Sequence, residues 1–453
     1  MLSYARDLPE LEPVDLIVCG AGPAGCAAAL SAARSGLSVL LVEALGQCGG
    51  MGTSGLVSHW LGGRSFDGRR WVVGGIFREL SEEAAAAGAA LLPVDDPEER
   101  FTPHGWLKGL QHGVPFDPFA MARLLDRKLA EASVDVLYFT RAVDVTCEGD
   151  EIRHVILANK QGLSAVRARA IVDATGDADV AAASGCEVQC GREGDGLMAP
   201  ATLMFHVDNV DQRMLSDYLH EHDSPRFRLE ITRWREQGDW PFPYEILITV
   251  QLVEPGVMMI NTSRLVGVDG TDPRSVSDGM CAGREETEAL LLVLRKHVPG
   301  FSQARLKAVA PLLGVRETRR IVGDLVMTVE DVVTGRTFED TIGLSSYGWD
   351  LPDPHRPSHQ PMHERAQAKP PVTPLPYRIM VPRPVGNLIC PGRAVSVERE
   401  VLGPLRVMAP CMAMGEAAGL AAHQVCRAGI AFNQVDTALL RQELTERGAI
   451  LEL

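Results

Sequence analysis

The sequence predicts an α/β fold: a parallel-sheet domain closed by both chain ends, with a second, mainly β-sheet α+β domain. Three observations predict it. The apolar run Val14 to Cys19 leads into a glycine turn, a helix of small residues, and a second apolar run ending at Glu43. A short strand at Asn387–Cys390 and another small-residue helix from about 409 repeat that pattern near the other end, so both ends build one domain. The stretch from about 197 to 370 differs, with the β-type segments ATLMFHV, EILITV and GVMMINTSRLVGV and one long helix expected around 274–298.

The glycine turn reads Gly20-Ala-Gly22-Pro23-Ala24-Gly25. In a Rossmann-like unit the first glycine permits a tight turn, the second lets backbone approach a pyrophosphate, and the third lets the helix pack on the sheet. The helix N-terminus then presents free N–H groups to phosphate. Glu43 and the adjoining Ala44 end the second strand, where an acid accepts bonds from a ribose 2′-hydroxyl. This pattern alone does not separate FAD from NAD. A second glycine-rich loop, GQCGGMGTSG at 46–55, favours a long, extended flavin dinucleotide.

Farther on, 117–132 has helical spacing, with Asp117 as cap and Pro118 in the first turn. VDVLYF at 134–139 reads as a parallel strand, and the following residues as a three-stranded meander turning at Gly149-Asp150 and Gly162. The chain resumes the domain through Ala170–Asp173 and Gly176-Asp177. Residues 350–376 are rich in Pro and His and read as a long loop. The expected boundaries are 1–60, 115–195 and 376–453 for the nucleotide domain, and 61–114 with 196–375 for the substrate or cap domain.

Composition narrows the classes. The chain has 453 residues, 44 Lys plus Arg against 59 Asp plus Glu, and a net charge of −15, which argues against a nucleic-acid binder. The opening MLSYARDLPELEP lacks the basic start and apolar run of a secretory signal, and no apolar stretch reads as a membrane span. Ten scattered cysteines without a CxxC pair point to a reducing, cytoplasmic setting.

Several segments resemble one family. GAGPAG with Glu43 resembles the glutathione-reductase-like FAD superfamily. GQCGGMGTSG, DATGDAD at 173–179, GREGDGLMAPATLMF at 191–205, GVRETRRIVGDLVMTVEDV at 314–332, PYRIMVP at 376–382 and PGRAVSVEREVLGPLRVMAPCMAMGEAAG at 391–419 are similar, in order, to the FAD-dependent oxidoreductase family. The resemblance covers nearly the whole chain. It implies FAD as cofactor, a glutathione-reductase-type FAD domain, and a small-molecule substrate. Carried over by motif, Gly20, Gly22 and Gly25 hold the pyrophosphate and Glu43 the ribose. Gly49, Gly50 and Met51 pass near the ribityl and flavin, Gly392 and Arg393 meet the pyrophosphate or ribityl, and Arg406, Val407 and Met408 lie by the isoalloxazine. Many relatives carry Thr-His-Glu where this chain has Glu398-Arg399-Glu400, so any role of that His is absent here or moved.

Arg406 is the leading functional side chain, as an anchor for an anionic substrate or for reduced-flavin charge; the alternative is a structural salt bridge, for which Glu400 is the nearest candidate. Arg316, Arg319 and Arg320 cluster with Glu317. Arg316 and Arg320 share a face if that segment is helical, and serve either the substrate or an ion network between domains. His59 and His206 are candidate general bases or hydrogen-bonded structural histidines. His355, His359 and His363 have metal-ligand spacing for a helix, but Pro354, Pro357 and Pro361 oppose that helix, and no metal is expected. Cys48 would need a second thiol at bonding distance to act as a redox partner.

The leading function is hydride transfer between flavin N5 and a small organic substrate, with an unidentified electron donor or acceptor. The alternatives are a flavin-dependent monooxygenase and a non-catalytic flavin redox partner or sensor. A homodimer is carried as an expectation.

Overall fold

A computed structural model describes residues 5–92, 113–224, 226–364 and 369–453. Its central sheet is parallel, with strands in the order Leu388–Ile389, Ala168–Asp173, Val14–Cys19, Val39–Val42 and Asp135–Leu137. Ile17 is in register with Leu40 on one side and Ile171 on the other. Both faces of this sheet are covered, and that is why its strands read as continuous apolar runs. Leu16, Val18, Leu41 and Val172 face one core; Ile17, Cys19, Leu40 and Ile171 face the other.

The first core is built around two helices, Pro23–Arg34 and Met408–Ala428. Their contact is backbone on backbone. A Cβ on Gly415 would lie 2.0 Å from the Ala24 carbonyl oxygen, and one on Gly419 would lie 2.2 Å from that of Ala28. Glycines four apart thus form one flat stripe on the later helix, and alanines four apart face it on the earlier one. Helix Gly75–Ala86 also packs in this core through Ile76, Phe77 and Leu80, although it lies in the 61–114 stretch expected to join the substrate domain. Residues 93–112 of that stretch lie outside the described residues.

The second core is formed by three-stranded antiparallel pairing of Arg141–Glu148, Glu151–Asn159 and Gly162–Val166 against the sheet's other face, the meander expected from the turn residues.

A third core lies on a four-stranded antiparallel sheet, in the order Thr249–Gln251, Met258–Ile260, Phe205–Asp208 and Arg305–Val309. Helix Pro273–His297 runs within one residue of its expected bounds. This region is more helical than its composition suggested: Gln212–His222 and Arg228–Glu236 are also helices. Both are mostly polar on their exposed faces, with Met214 and Leu229 as exposed apolar exceptions, and Asp211 caps the first by accepting from the Met214 amide at 3.0 Å. The Pro/His-rich stretch is only partly loop. Thr373–Pro376 pairs with Thr341–Ser345, and Pro361–Glu364 is a single helical turn; residues 365–368 lie outside the described residues.

Candidate functional site

At the carboxyl end of the Val14–Cys19 strand, Gly20 turns with φ +100°, and a Cβ there would lie 2.5 Å from the Ala174 carbonyl oxygen. A Cβ on Gly25 would lie 1.8 Å from the Gly20 carbonyl oxygen. The first and third glycines are therefore required by close packing. Gly22 is different: nothing stands within 4 Å of where its Cβ would be. It is the N-cap of the Pro23–Arg34 helix, and no side chain caps that helix. Pro23 costs the first turn nothing, because its missing N–H is one that a helix start leaves unpaired. The open side of Gly22 and an uncapped helix start fit a pyrophosphate.

Glu43 is buried and turned back onto this loop. Its two carboxylate oxygens accept from the Ala21 amide at 2.7 Å and the Leu45 amide at 2.8 Å. Each oxygen keeps a lone pair for a ribose hydroxyl. Ala44 sits between those anchors.

The second glycine loop stacks against the first. The Gly49 amide donates to the Ala21 carbonyl at 2.8 Å, and a Cβ on Gly50 would lie 2.9 Å from Gly22 Cα. Met51 follows, and its methyl lies against Gly314, while Met408 Sδ lies against Gly52. From the other side, Gly392 (φ +102°) approaches Ala24 closely, and Arg393 pairs with Asp177 beside Gly176. Arg393 Nη1 is buried with no hydrogen-bond partner among the described residues. Val407 is the N-cap of the Met408–Ala428 helix, and this start also lacks a side-chain cap. The segments named from sequence motifs thus meet around two uncapped helix starts.

Within residues 15–444 the chain matches the model of the FAD dependent oxidoreductase family. The chain belongs to that family. This oxidoreductase therefore uses FAD. Among solved structures it is similar to a geranylgeranyl bacteriochlorophyll reductase-like protein from Thermoplasma acidophilum, at 12% identity over 96% of this chain and 83% of that one, with a TM-score of 0.43. A p-nitrophenol 4-monooxygenase from Pseudomonas putida matches at 11% identity over 97% and 86%, with a TM-score of 0.47. A flavin-dependent brominase matches at 14% identity over 96% and 84%, with a TM-score of 0.46. The search of curated proteins found no match.

The catalytic candidates of the oxidoreductase fare unequally. Arg406 forms its salt bridge with Asp350 rather than Glu400: Nη2 donates to Asp350 Oδ2 at 2.9 Å and to the Asp350 carbonyl at 2.5 Å. Arg316 and Arg320 do not share a helical face. Arg319–Ile321 is a strand paired with Val188–Cys190, because alternating residues here are drawn into sheet pairing. Arg320 donates to the Gly191 carbonyl and Arg319 pairs with Asp179, while Arg316 turns the other way, to the Pro200 carbonyl and to Thr202 Oγ1 at 3.0 Å.

His206 lies in the Phe205–Asp208 strand, and its Nε2 donates to the Leu56 carbonyl at 3.0 Å. Burial pushes its imidazole down to about 4, so the ring is neutral near pH 7 and serves as a tie to the end of the second glycine loop. His59 is buried in the strand His59–Trp60, directly under Gly113, where a Cβ would lie 1.8 Å from its Nε2. His355, His359 and His363 are not carried on one helix. Cys48 has a thiol neighbour that its sequence surroundings did not reveal: Cys26, on the first helix, lies beside it, and the Tyr138 hydroxyl is 3.1 Å away. Its contact with Cys48, and then burial, push the Cys26 thiol up and hold it protonated.

Sequence reasoning missed Arg264, Asp350, Tyr347 and Thr202. A lone arginine inside the otherwise uncharged run GVMMINTSRLVGV was the available signal for Arg264. Asp350 lay in a segment with no periodicity to interpret.

Proposed function

We propose that this oxidoreductase transfers a hydride between FAD and a small organic substrate held against the ring by its second, sheet-rich region. Bound FAD supplies hydride acceptance and donation at N5. The protein's part is binding and orientation. Gly20, Gly22 and the start of the Pro23–Arg34 helix take the pyrophosphate, with Gly392 and Arg393 opposite, and Glu43 takes the adenosine ribose. Gly49, Gly50 and Met51 line the path toward the ring, and Val407 and Met408 bring a second helix start to it. That start favours negative charge nearby by its dipole.

The observation that carries this reading is the meeting of two helix starts without side-chain caps in one groove, walled by glycines whose Cβ atoms would collide. The parallel sheet, the antiparallel meander on its far face and the return of Leu388–Ile389 to the sheet support the glutathione-reductase-type arrangement with 1–60, 115–195 and 376–453 around the cofactor. Ten unpaired cysteines among the described residues support a reducing compartment, and no helix there is long and apolar enough to cross a membrane.

The test is anaerobic. Purified protein is reconstituted with FAD and screened with small metabolites for loss of the oxidised-flavin absorbance. Bleaching by one substrate class, with an oxidised product two electrons away, supports hydride transfer. A second arm repeats the screen under 18O2: a flavin that no substrate bleaches anaerobically, with a labelled oxygen atom in the aerobic product, overturns it in favour of monooxygenation, and failure to take up FAD overturns the whole assignment.

A further inference from the structure

Near the second glycine loop, three guanidinium groups from distant parts of the chain come together. Arg264 follows the Met258–Ile260 strand, Arg316 precedes the Arg319–Ile321 strand, and Arg406 immediately precedes the Val407 N-cap. Thr202 joins the first two, since its Oγ1 accepts from Arg316 Nη2 at 3.0 Å and Arg264 Nη1 at 3.3 Å. Thr202 also bridges to Gly314, against which the Met51 methyl packs. The cluster therefore lies between the second glycine loop and the start of the Met408–Ala428 helix.

Its charges do not balance. Arg406 pairs with Asp350, which also accepts from the Tyr347 hydroxyl at 2.9 Å and Gln360 Nε2 at 2.9 Å. Arg264 and Arg316 donate only to neutral oxygens: those of Thr202, Thr262, Ser263 and Pro200. Among the described residues neither has a carboxylate within ion-pair distance. Asp350 also acts through space on Arg264 and Arg316, so one carboxylate faces three guanidinium groups; the other acid facing Arg264 is Glu286, which accepts from the Tyr244 hydroxyl at 2.5 Å and is pushed toward its neutral form by burial. Arg264 Nε and Arg406 Nε are both buried N–H groups with no partner among the described residues. Guanidinium stays protonated, and a buried cation without a counter-charge is strongly disfavoured. Burial and the neighbouring arginines press on Arg316 in that sense. Asp350 is itself 35% exposed.

We propose that Arg264, Arg316 and Arg406 form an anion site that takes the carboxylate of the oxidoreductase's substrate. The planar fork of guanidinium matches a carboxylate two bonds at a time, and Asp350 already shows one carboxylate accepted by this cluster. The inference rests on the proposed substrate position beside the flavin, and it names the substrate class: a small organic acid. A carboxylate held there brings the missing negative charge to Arg264 and Arg316.

The test uses FAD-loaded protein and does not need turnover. Acetate, lactate, succinate and citrate are titrated beside their amides and beside phosphate, with thermal midpoint and flavin difference spectrum as readouts. The expected result is saturable binding of at least one carboxylate, none of its amide, and weakening of tenfold or more in Arg264→Gln and Arg316→Gln at unchanged FAD occupancy. Should a glutamine variant fail to fold, Arg264→Lys keeps the charge but not the fork, and the same weakening is expected. Three outcomes overturn the proposal while leaving the FAD assignment intact. They are binding of no carboxylate over its amide, preference for phosphate, and a changed flavin spectrum in the variants with carboxylate affinity unaltered, which would assign the arginines to the flavin itself. Absence of FAD from the wild type would instead sink the parent reading.

Discussion

Arg399 and Glu317 form a buried ion pair, with Arg399 Nε donating to the two Glu317 oxygens at 3.0 and 2.9 Å. Glu317 is fully buried, and it also accepts from the Ala199 amide at 2.6 Å. The pair ties the segment before the Met408–Ala428 helix to the Glu317 segment. Without Arg399 the buried Glu317 keeps only Arg320 as a counter-charge among the described residues, whose Nη1 stands 3.7 Å from it, and losing one partner of a buried pair costs about 3–5 kcal/mol. Arg399→Met is expected to lose about that much stability in urea titrations. A loss below about 1 kcal/mol would show that water or another cation compensates Glu317.

Glu416 gives a pH dependence. It lies buried on the Met408–Ala428 helix and accepts from the Ile76 amide at 3.0 Å. Burial pushes its carboxyl up to about 7, against about 4.3 in an unfolded chain. A raised folded value means the native state holds the proton more tightly. The stabilising contribution is full below about pH 4 and is lost as pH rises through 7. The gap corresponds to at most about 3–4 kcal/mol at 1.36 kcal/mol per unit. Glu416→Gln should therefore be more stable than wild type at pH 8, with the difference shrinking toward pH 5. Parallel stability curves for the two proteins from pH 5 to 8 would contradict this.

The two central helices leave no room for a methyl group. Gly415→Ala places a carbon 2.0 Å from the Ala24 carbonyl oxygen, and relief requires the helices to separate. A cost of about 1–3 kcal/mol is expected from overpacking. Because Ala24 also abuts Gly392 in the groove, FAD affinity should fall with it. Calorimetry and a flavin-binding titration on the same sample read both effects.

Glu43 is expected to matter for binding more than for folding. Replacing it with Gln leaves one oxygen for the Ala21 or Leu45 amide and weakens acceptance from a ribose hydroxyl. Charged acceptors contribute about 1.5–3 kcal/mol, so the FAD dissociation constant should rise on the order of ten- to a hundredfold. Unchanged affinity would move the ribose contact to another residue.

His206 separates a structural from a catalytic role. Glutamine can reproduce the bond from Nε2 to the Leu56 carbonyl, while it cannot act as a base. His206→Gln should retain turnover within a few-fold, with no change in the pH profile between 5 and 8. A loss of a hundredfold or more, the usual range for removing a general base, would restore His206 to catalysis.

The nucleotide half was legible because its constraints are local. Gly20 needs a left-handed turn, Gly25 needs to approach Gly20, and the apolar strands are buried on both faces; each leaves its mark within a few residues. Asp117 accepting from the Ala120 amide at 2.6 Å is likewise a cap that three residues suffice to show. Helices Gln212–His222 and Arg228–Glu236 were not legible, since their long polar faces dilute the apolar period.

Residue order along the chain was enough to specify a glycine-turned parallel sheet, its two small-residue helices and a flavin dinucleotide as cofactor. Which charges face one another was settled by folding alone. Arg406 chose Asp350 over nearby Glu400, Arg399 chose Glu317, and Arg264 met Arg316 across Thr202. Backbone conformation depends on neighbours a few residues away, so sequence encodes it directly. An ion pair depends on distance through space, and chain folding brings together groups far apart in sequence, as Glu317 and Arg399 are.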